Sequence, residues 1–192
     1  MTRVELKSAA KEQIKGKIGL LFIVFIIVAA ITAACGAVPV VGWFASIIVS
    51  PAFQISLCMM YLSLTKGEEI SVGDIFKGFN VTGKAIWLSI ITAVYTFLWT
   101  LLLIVPGIVK SFAYAMAPYI LADEPELTAS EALAKSQRIM NGHKFDLFVL
   151  DLSFIGWALL GSITFGIALI YVVPYRNATI ANFYNSIKEE QN

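Results

Sequence analysis

All but one of the 14 Lys and Arg residues fall in polar breaks that can share one side of a membrane. Arg3, Lys7, Lys11, Lys15 and Lys17 precede the first long apolar run. Lys66, Lys77 and Lys84 occupy the next polar break, Lys135, Arg138 and Lys144 the one after it, and Arg176 and Lys188 follow the last run. The segments assigned to the opposite side hold almost no charge, with Lys110 the one basic residue near that face. Cytoplasmic loops of membrane proteins carry excess Lys and Arg. The pattern therefore predicts a multi-pass protein of the cytoplasmic membrane with both termini cytoplasmic. It constrains the fold and leaves the activity open.

Composition agrees. Of the 192 residues, 58% are hydrophobic and only 14% charged, and the mean hydropathy is +0.79. That exceeds what a soluble domain normally carries. Residues 1–192 read as one integral membrane domain. A net charge of +1 gives no reason to expect nucleic acid or a strongly acidic partner. Cys35 and Cys58 lie inside or at the edge of apolar runs, as small hydrophobes rather than a disulfide. The basic amino end and Ala33-Ala34-Cys35 superficially permit a cleaved leader. Such a leader would be unusually long and would contain Glu5 and Glu12, and equally apolar segments follow it, so a retained helix is the better reading.

The expected fold is all-α, a bundle of six transmembrane helices in three hairpins, with five as the alternative. Val4, Leu6, Ala10 and Ile14 give residues 1–17 a cytoplasmic interfacial helix over 3–16. Ile18 to about Ala34 is the first span; Gly36, Pro39 and Gly42 form a turn; a second run reaches Leu64, with Trp43 near its outer end and Pro51 inside as a kink. The cytoplasmic connection 66–84 carries Ser71 three residues before Asp74, which predicts a short amphipathic helix. Ala85 to Val105 is the third span, ended by Pro106-Gly107. The fourth, Ile108 to Ala122, contains Pro118. In the connection 123–145, Asp123-Glu124-Pro125 reads as a solvated stop, and Thr128 with Glu131 opens a helix that Gly142 can close. From Phe145 onward the chain allows one tilted helix or a hairpin near Gly161 running on through Pro174. The charge rule favours the hairpin. The pattern of Pro51, Gln54, Ser56, Tyr61 and Ser63 recurs in type at Pro174, Asn177, Thr179, Tyr184 and Ser186, a weak internal echo.

No metal-binding His helix, nucleophile elbow, phosphate loop or cysteine pair is present, so no catalytic, cofactor or metal residue is assigned and a non-enzymatic role is expected. His143 reads as a solvated loop residue. The informative positions are polar residues inside apolar runs, where a charge costs roughly 2.5–3.5 kcal/mol and so pairs, snorkels or faces a cavity. Lys110 can snorkel to the outer surface. Asp151 lies deeper than Asp146, and in the hairpin arrangement Arg176 reaches a similar depth, so the two are expected to pair. Gln54 completes the set. Pro51, Pro106, Pro118 and Pro174 are candidate helix breaks, and the small-residue pairs Ala29/Ala33, Ala30/Ala34, Ala158/Ser162 and Ser162/Gly166 permit close packing.

The strings Leu101 to Lys110, Pro118 to Asp123, Glu131 to Ser136, Gly142 to Lys144 and Leu152 to Trp157 together resemble domain of unknown function 975, a bacterial family of integral membrane proteins. The resemblance runs from Glu5 to Tyr184 and implies several membrane helices with no established activity. The arrangement is also similar to the membrane domain of some glycerophosphodiester phosphodiesterases, without room for their catalytic domain. Expected partners are membrane lipids, with a protein partner or homo-oligomer possible. The leading functional expectation is lipid or partner binding; the alternative is transport of a small solute or lipid.

Overall fold

The computed structural model describes residues 2–37, 41–164 and 166–190. In chain order its helices are α1 (Arg3–Ile14), α2 (Ile18–Gly36), α3 (Val41–Thr65), a 3-10 helix (Val72–Val81), α4 (Thr82–Leu102), α5 (Ile104–Tyr114), α6 (Ala117–Asp123), α7 (Ala129–Ile139), α8 (Lys144–Leu152), α9 (Ile155–Ile163) and α10 (Leu169–Glu189). The described residues contain no strand. Pro39 lies outside the described residues, as do the side chains of Trp43, Ala158 and Ser162.

A hydroxyl residue followed three positions later by an acid opens each of three short segments, and each segment leads into a hairpin. Thr2 and Glu5 cap α1 reciprocally: the Glu5 N–H donates to Thr2 Oγ1 at 3.3 Å and the Thr2 N–H to Glu5 Oε2 at 2.8 Å. The Ser71 N–H donates to Asp74 Oδ2 at 2.7 Å, and Thr128 with Glu131 repeats the reciprocal arrangement at α7. These bonds satisfy amides that a helix start leaves without partners. The hairpins that follow are α2–α3, α4 with α5 and α6, and α8 and α9 with α10. The last reverses at Gly166 (φ 88°) rather than at Gly161. Gly161 lies within α9, where an added Cβ would stand 2.7 Å from Leu169 Cδ2; it marks close packing, and the positive φ needed to turn is supplied by Gly166.

Among the described residues, four segments are long and apolar enough to cross a membrane: Ile18–Gly36, Ala45–Thr65, Val72–Leu102 and Ile104–Asp123. The last hairpin, expected to supply two more, does not meet that standard. Its first arm is cut at Ser153–Phe154 into two nine-residue helices, and α10 carries Arg176, Asn177 and Asn182 along its length. The chain is thus an all-α bundle of membrane character.

The prolines act differently from one another. Pro118 is the second residue of α6 and sits at a true interruption, between Tyr114 and Ala117. The break frees carbonyls, and Ser136 Oγ of α7 donates to that of Ala113 at 2.8 Å. Pro106 does not end the third span. The chain leaves helical geometry at Leu103 (φ −160°, ψ 137°), and Pro106 is the third residue of α5, where its missing N–H deprives no carbonyl. Pro51 and Pro174 interrupt nothing: both stand inside continuous helices, because one absent bond is tolerated where the surrounding turns are packed.

The core gathers at the end of the bundle that bears the basic residues. Leu6, Ala10 and Ile14 of α1, four residues apart, are buried, and Gln13 and Asn182 exchange amide hydrogen bonds at 3.0 and 2.7 Å. The first segment is therefore docked on α10. The 3-10 helix packs on α3, where the Gly78 N–H donates to the buried Ser56 Oγ at 2.8 Å. At the opposite end apolar side chains stand open, with Leu101 74% and Ile163 75% exposed. Such a surface calls for lipid rather than water. Ala29, Ala30, Ala33 and Ala34 are also exposed.

Candidate functional site

Gln54, Asp151 and Arg176, of which the first and last stand more than a hundred residues apart, line one cavity of about 420 Å³ between α3, α5, α6, α8 and α10. Asp151 arrives two turns into α8, and Arg176 descends on α10 after the Gly166 reversal. The Arg176 Nη2 lies 2.7 Å from Asp151 Oδ1, and Nε donates to the same oxygen at 3.0 Å. This bond leaves Oδ2 and Nη1 for other partners. The two side chains are 29% and 43% exposed, half-buried groups facing an open space. Pairing offsets part of the cost of holding either charge at this depth.

The rest of the lining is neutral. Tyr61, Asn177, Ser111, Tyr119 and Cys58 add polar or polarizable atoms among apolar neighbours. Gln54 and Asn177 occupy equivalent places, three residues beyond Pro51 and Pro174. Ser56 and Thr179, both fully buried, each donate back one turn, to Ala52 at 3.0 Å and Tyr175 at 2.7 Å. The internal echo thus has a structural counterpart: two parallel helices present matching amides to the same cavity.

A second space of about 400 Å³ lies between α3, α4, α5 and α6, lined by hydroxyls of Ser89, Thr92 and Thr96. Gln54, Ser111, Ala115 and Pro118 border both spaces, beside the α5–α6 interruption. A third, of about 340 Å³, is an apolar groove of Phe154, Ile155, Leu169, Val172 and Val173 that shares Asp151 and Arg176 with the first. Lys110 lines none of these. Its ammonium rests 4.8 Å from the Trp99 ring centroid, a cation–π contact between α5 and α4.

The acidic stop at the carboxyl end of α6 is not merely solvated. Lys188 pairs with Asp123, Lys66 approaches the same carboxylate at 3.6 Å, and Tyr184 donates its hydroxyl to it at 3.1 Å. Lys135 holds Glu124 at 2.5 and 2.7 Å, and Lys84 donates to the carbonyls of Pro125 and Glu126 at 2.6 and 3.0 Å. Burial works to lower the Lys188 pKa, but the hydrogen bond and charge of Asp123 outweigh it and hold the ammonium above its ordinary range. Lysines from three helices and the 66–84 connection thereby converge on one short loop. The sequence displays the charges; only the fold shows which of them meet. His143 lies 3.6 Å from Asp146 and 3.5 Å from Glu190 on the same face. Among the described residues, no three His, Cys, Asp or Glu side chains could together hold a metal ion.

The family described as Protein of unknown function (DUF975) matches residues 1–110 and 101–191 of the chain. No curated protein and no solved structure matches it.

Proposed function

The chain belongs to the DUF975 family of proteins of unknown function, and from that premise we propose that it is a non-enzymatic, multi-pass protein of the cytoplasmic membrane that binds an amphipathic ligand, membrane lipid first, in the cavity around Asp151 and Arg176. In this reading the last hairpin, less apolar than the four spans but packed through α10 against α3, completes six crossings and leaves both termini in the cytoplasm. One observation carries this reading: polar residues from three distant segments, each costly in an apolar run, converge on a single space large enough for a small ligand. Ligand sites commonly enclose about 300–1,000 Å³, mostly apolar with a few placed polar groups.

The test is native mass spectrometry of the protein released gently from its own membrane. A ligand retained at fixed stoichiometry is expected, and it should be lost when Ser111→Trp fills the space. Ser111 is exposed to the cavity, so this substitution leaves the packed core alone. A bare chain, or bulk lipid unaffected by Ser111→Trp, would reject the proposal.

Transport is a second reading, supported by the meeting of the two polar spaces at Gln54 and Ser111 beside a broken helix. Transporter sites lie between discontinuous helices near mid-membrane. Ligand flux across reconstituted vesicles, abolished by Ser111→Trp, separates a conduit from a static binding site.

A further inference from the structure

We infer that the cavity selects a zwitterionic group, a phosphate or carboxylate joined to a primary ammonium, over a purely anionic or cationic one. The inference rests on the reading that this cavity holds a ligand. It is drawn from the charges that line the space: among the described residues these are Asp151 and Arg176 alone, one of each sign and already bonded to each other.

An anion entering such a site must either add a net charge at low dielectric or take Arg176 away from Asp151. The second course leaves a half-buried carboxylate unpaired in a weakly solvated space, which is unfavourable. A cation meets the mirror-image penalty. A zwitterion meets neither. Its anionic end accepts from the guanidinium and its ammonium donates to the carboxylate, so the total charge is zero before and after binding. The existing bond uses one carboxylate oxygen and two guanidinium nitrogens, and leaves Oδ2 and Nη1 where a ligand can begin the exchange. Guanidinium geometry suits phosphate and carboxylate equally. Asn177 and Gln54 offer neutral amides alongside.

The surroundings favour a lipid headgroup over a free solute. Asp151 and Arg176 form the border between the polar cavity and the apolar groove of Phe154, Ile155, Leu169 and Val172. A headgroup bound at the pair can lay its chains along that groove. Lys7 lies outside both linings, its ammonium 4.4 Å from the Phe154 ring centroid and donating to the Ser153 carbonyl at 3.5 Å.

The experiment equilibrates the wild-type protein with micelles containing equal amounts of phosphatidylethanolamine, phosphatidylcholine and phosphatidylglycerol, then weighs the released complex. Phosphatidylethanolamine should be retained over phosphatidylglycerol by about tenfold, the ratio that one charge-assisted contact supplies. Phosphatidylcholine, whose ammonium has no proton to donate, should fall between them. Asp151→Asn should reverse the order toward phosphatidylglycerol. The exchanged double variant, Asp151→Arg with Arg176→Asp, keeps a pair and should keep the wild-type order, which guards against misreading a folding defect. Added glycine competing with bound lipid would support the zwitterion rule while assigning it to a free solute. Equal retention of the three lipids, all lost in Ser111→Trp, would overturn the selectivity and leave the binding reading standing. No retained lipid and no glycine binding would overturn both.

Discussion

Replacing Gly78 by alanine tests how the second interfacial segment is seated. A Cβ at this position would lie 2.3 Å from the Ala52 carbonyl oxygen and 2.6 Å from both the Ser56 nitrogen and Oγ. Two of these three are α3 backbone atoms, which no rotamer change can move aside. Relief requires the 3-10 helix to retreat until the shortest contact reaches at least the 3.4 Å of ordinary van der Waals approach, a shift of about 1.1 Å. That retreat stretches the 2.8 Å bond from the Gly78 N–H to Ser56 and opens the Phe53–Phe79 edge contact, whose centroids are 5.2 Å apart. Overpacking of this kind costs about 1–3 kcal/mol, which for a chain of this length lowers the melting temperature by between about 2 and 12 °C. The control is Gly83→Ala in α4, where a Cβ meets nothing within 4 Å. Alanine is the better helix former, so this variant should match or slightly exceed the parent. Both are read by thermal unfolding of purified protein in one detergent. Equal melting temperatures for Gly78→Ala and the parent would refute the close seating of this segment on α3.

Further expectations concern the ion pairs and the broken helices. Arg176→Gln and Asp151→Asn should each lower thermal stability by about 1.5–3 kcal/mol, the range for hydrogen bonds to charged groups, and a double-mutant cycle should return a coupling of similar size; additive losses would mean that the pair is not formed. Lys188→Met should cost about 1 kcal/mol or less, since the lysine is 34% exposed and Lys66 and the Tyr184 hydroxyl remain on Asp123. Because the Lys188 pKa is raised in the fold, its contribution is complete below the unfolded value and fades only as pH rises through the folded one, so the deficit should be constant from about pH 6 to about pH 10; a deficit that vanishes within that window would contradict the pairing with Asp123. Ser136→Ala leaves the Ala113 carbonyl without its donor at the α5–α6 interruption and should cost about 1–3 kcal/mol in the same melting assay, whereas an unchanged melting temperature would show that water or another group takes over.

Local chemistry was legible wherever it depends on neighbours in sequence. Hydroxyl–acid spacing located the starts of the 3-10 helix and α7, and the charge asymmetry argued for a final hairpin, within which Asp151 and Arg176 indeed meet. Proline was harder to read, since its effect depends on where the next helix begins. The same residue type interrupts at Pro118, is harmless at Pro106, and is absorbed at Pro51 and Pro174. The reversal at Gly166 rather than Gly161 reflects a positive φ, which composition does not reveal. Convergence lay beyond the sequence. Nothing local to Gln54 says that it shares a cavity with Arg176, and nothing local to Glu124 says that Lys135 reaches back to it. Such meetings follow from helix packing, which joins residues of any separation.

The most direct test of the ligand-binding claim is a photocrosslinking residue placed at Ser111 and activated in intact membranes, followed by the intact mass of the purified protein. The same residue at Phe97, 66% exposed on the outer part of α4, reports bulk lipid. The account predicts one dominant adduct at Ser111, of a mass distinct from the mixed population captured at Phe97. The same mixture at both positions, or no adduct at Ser111, would contradict it.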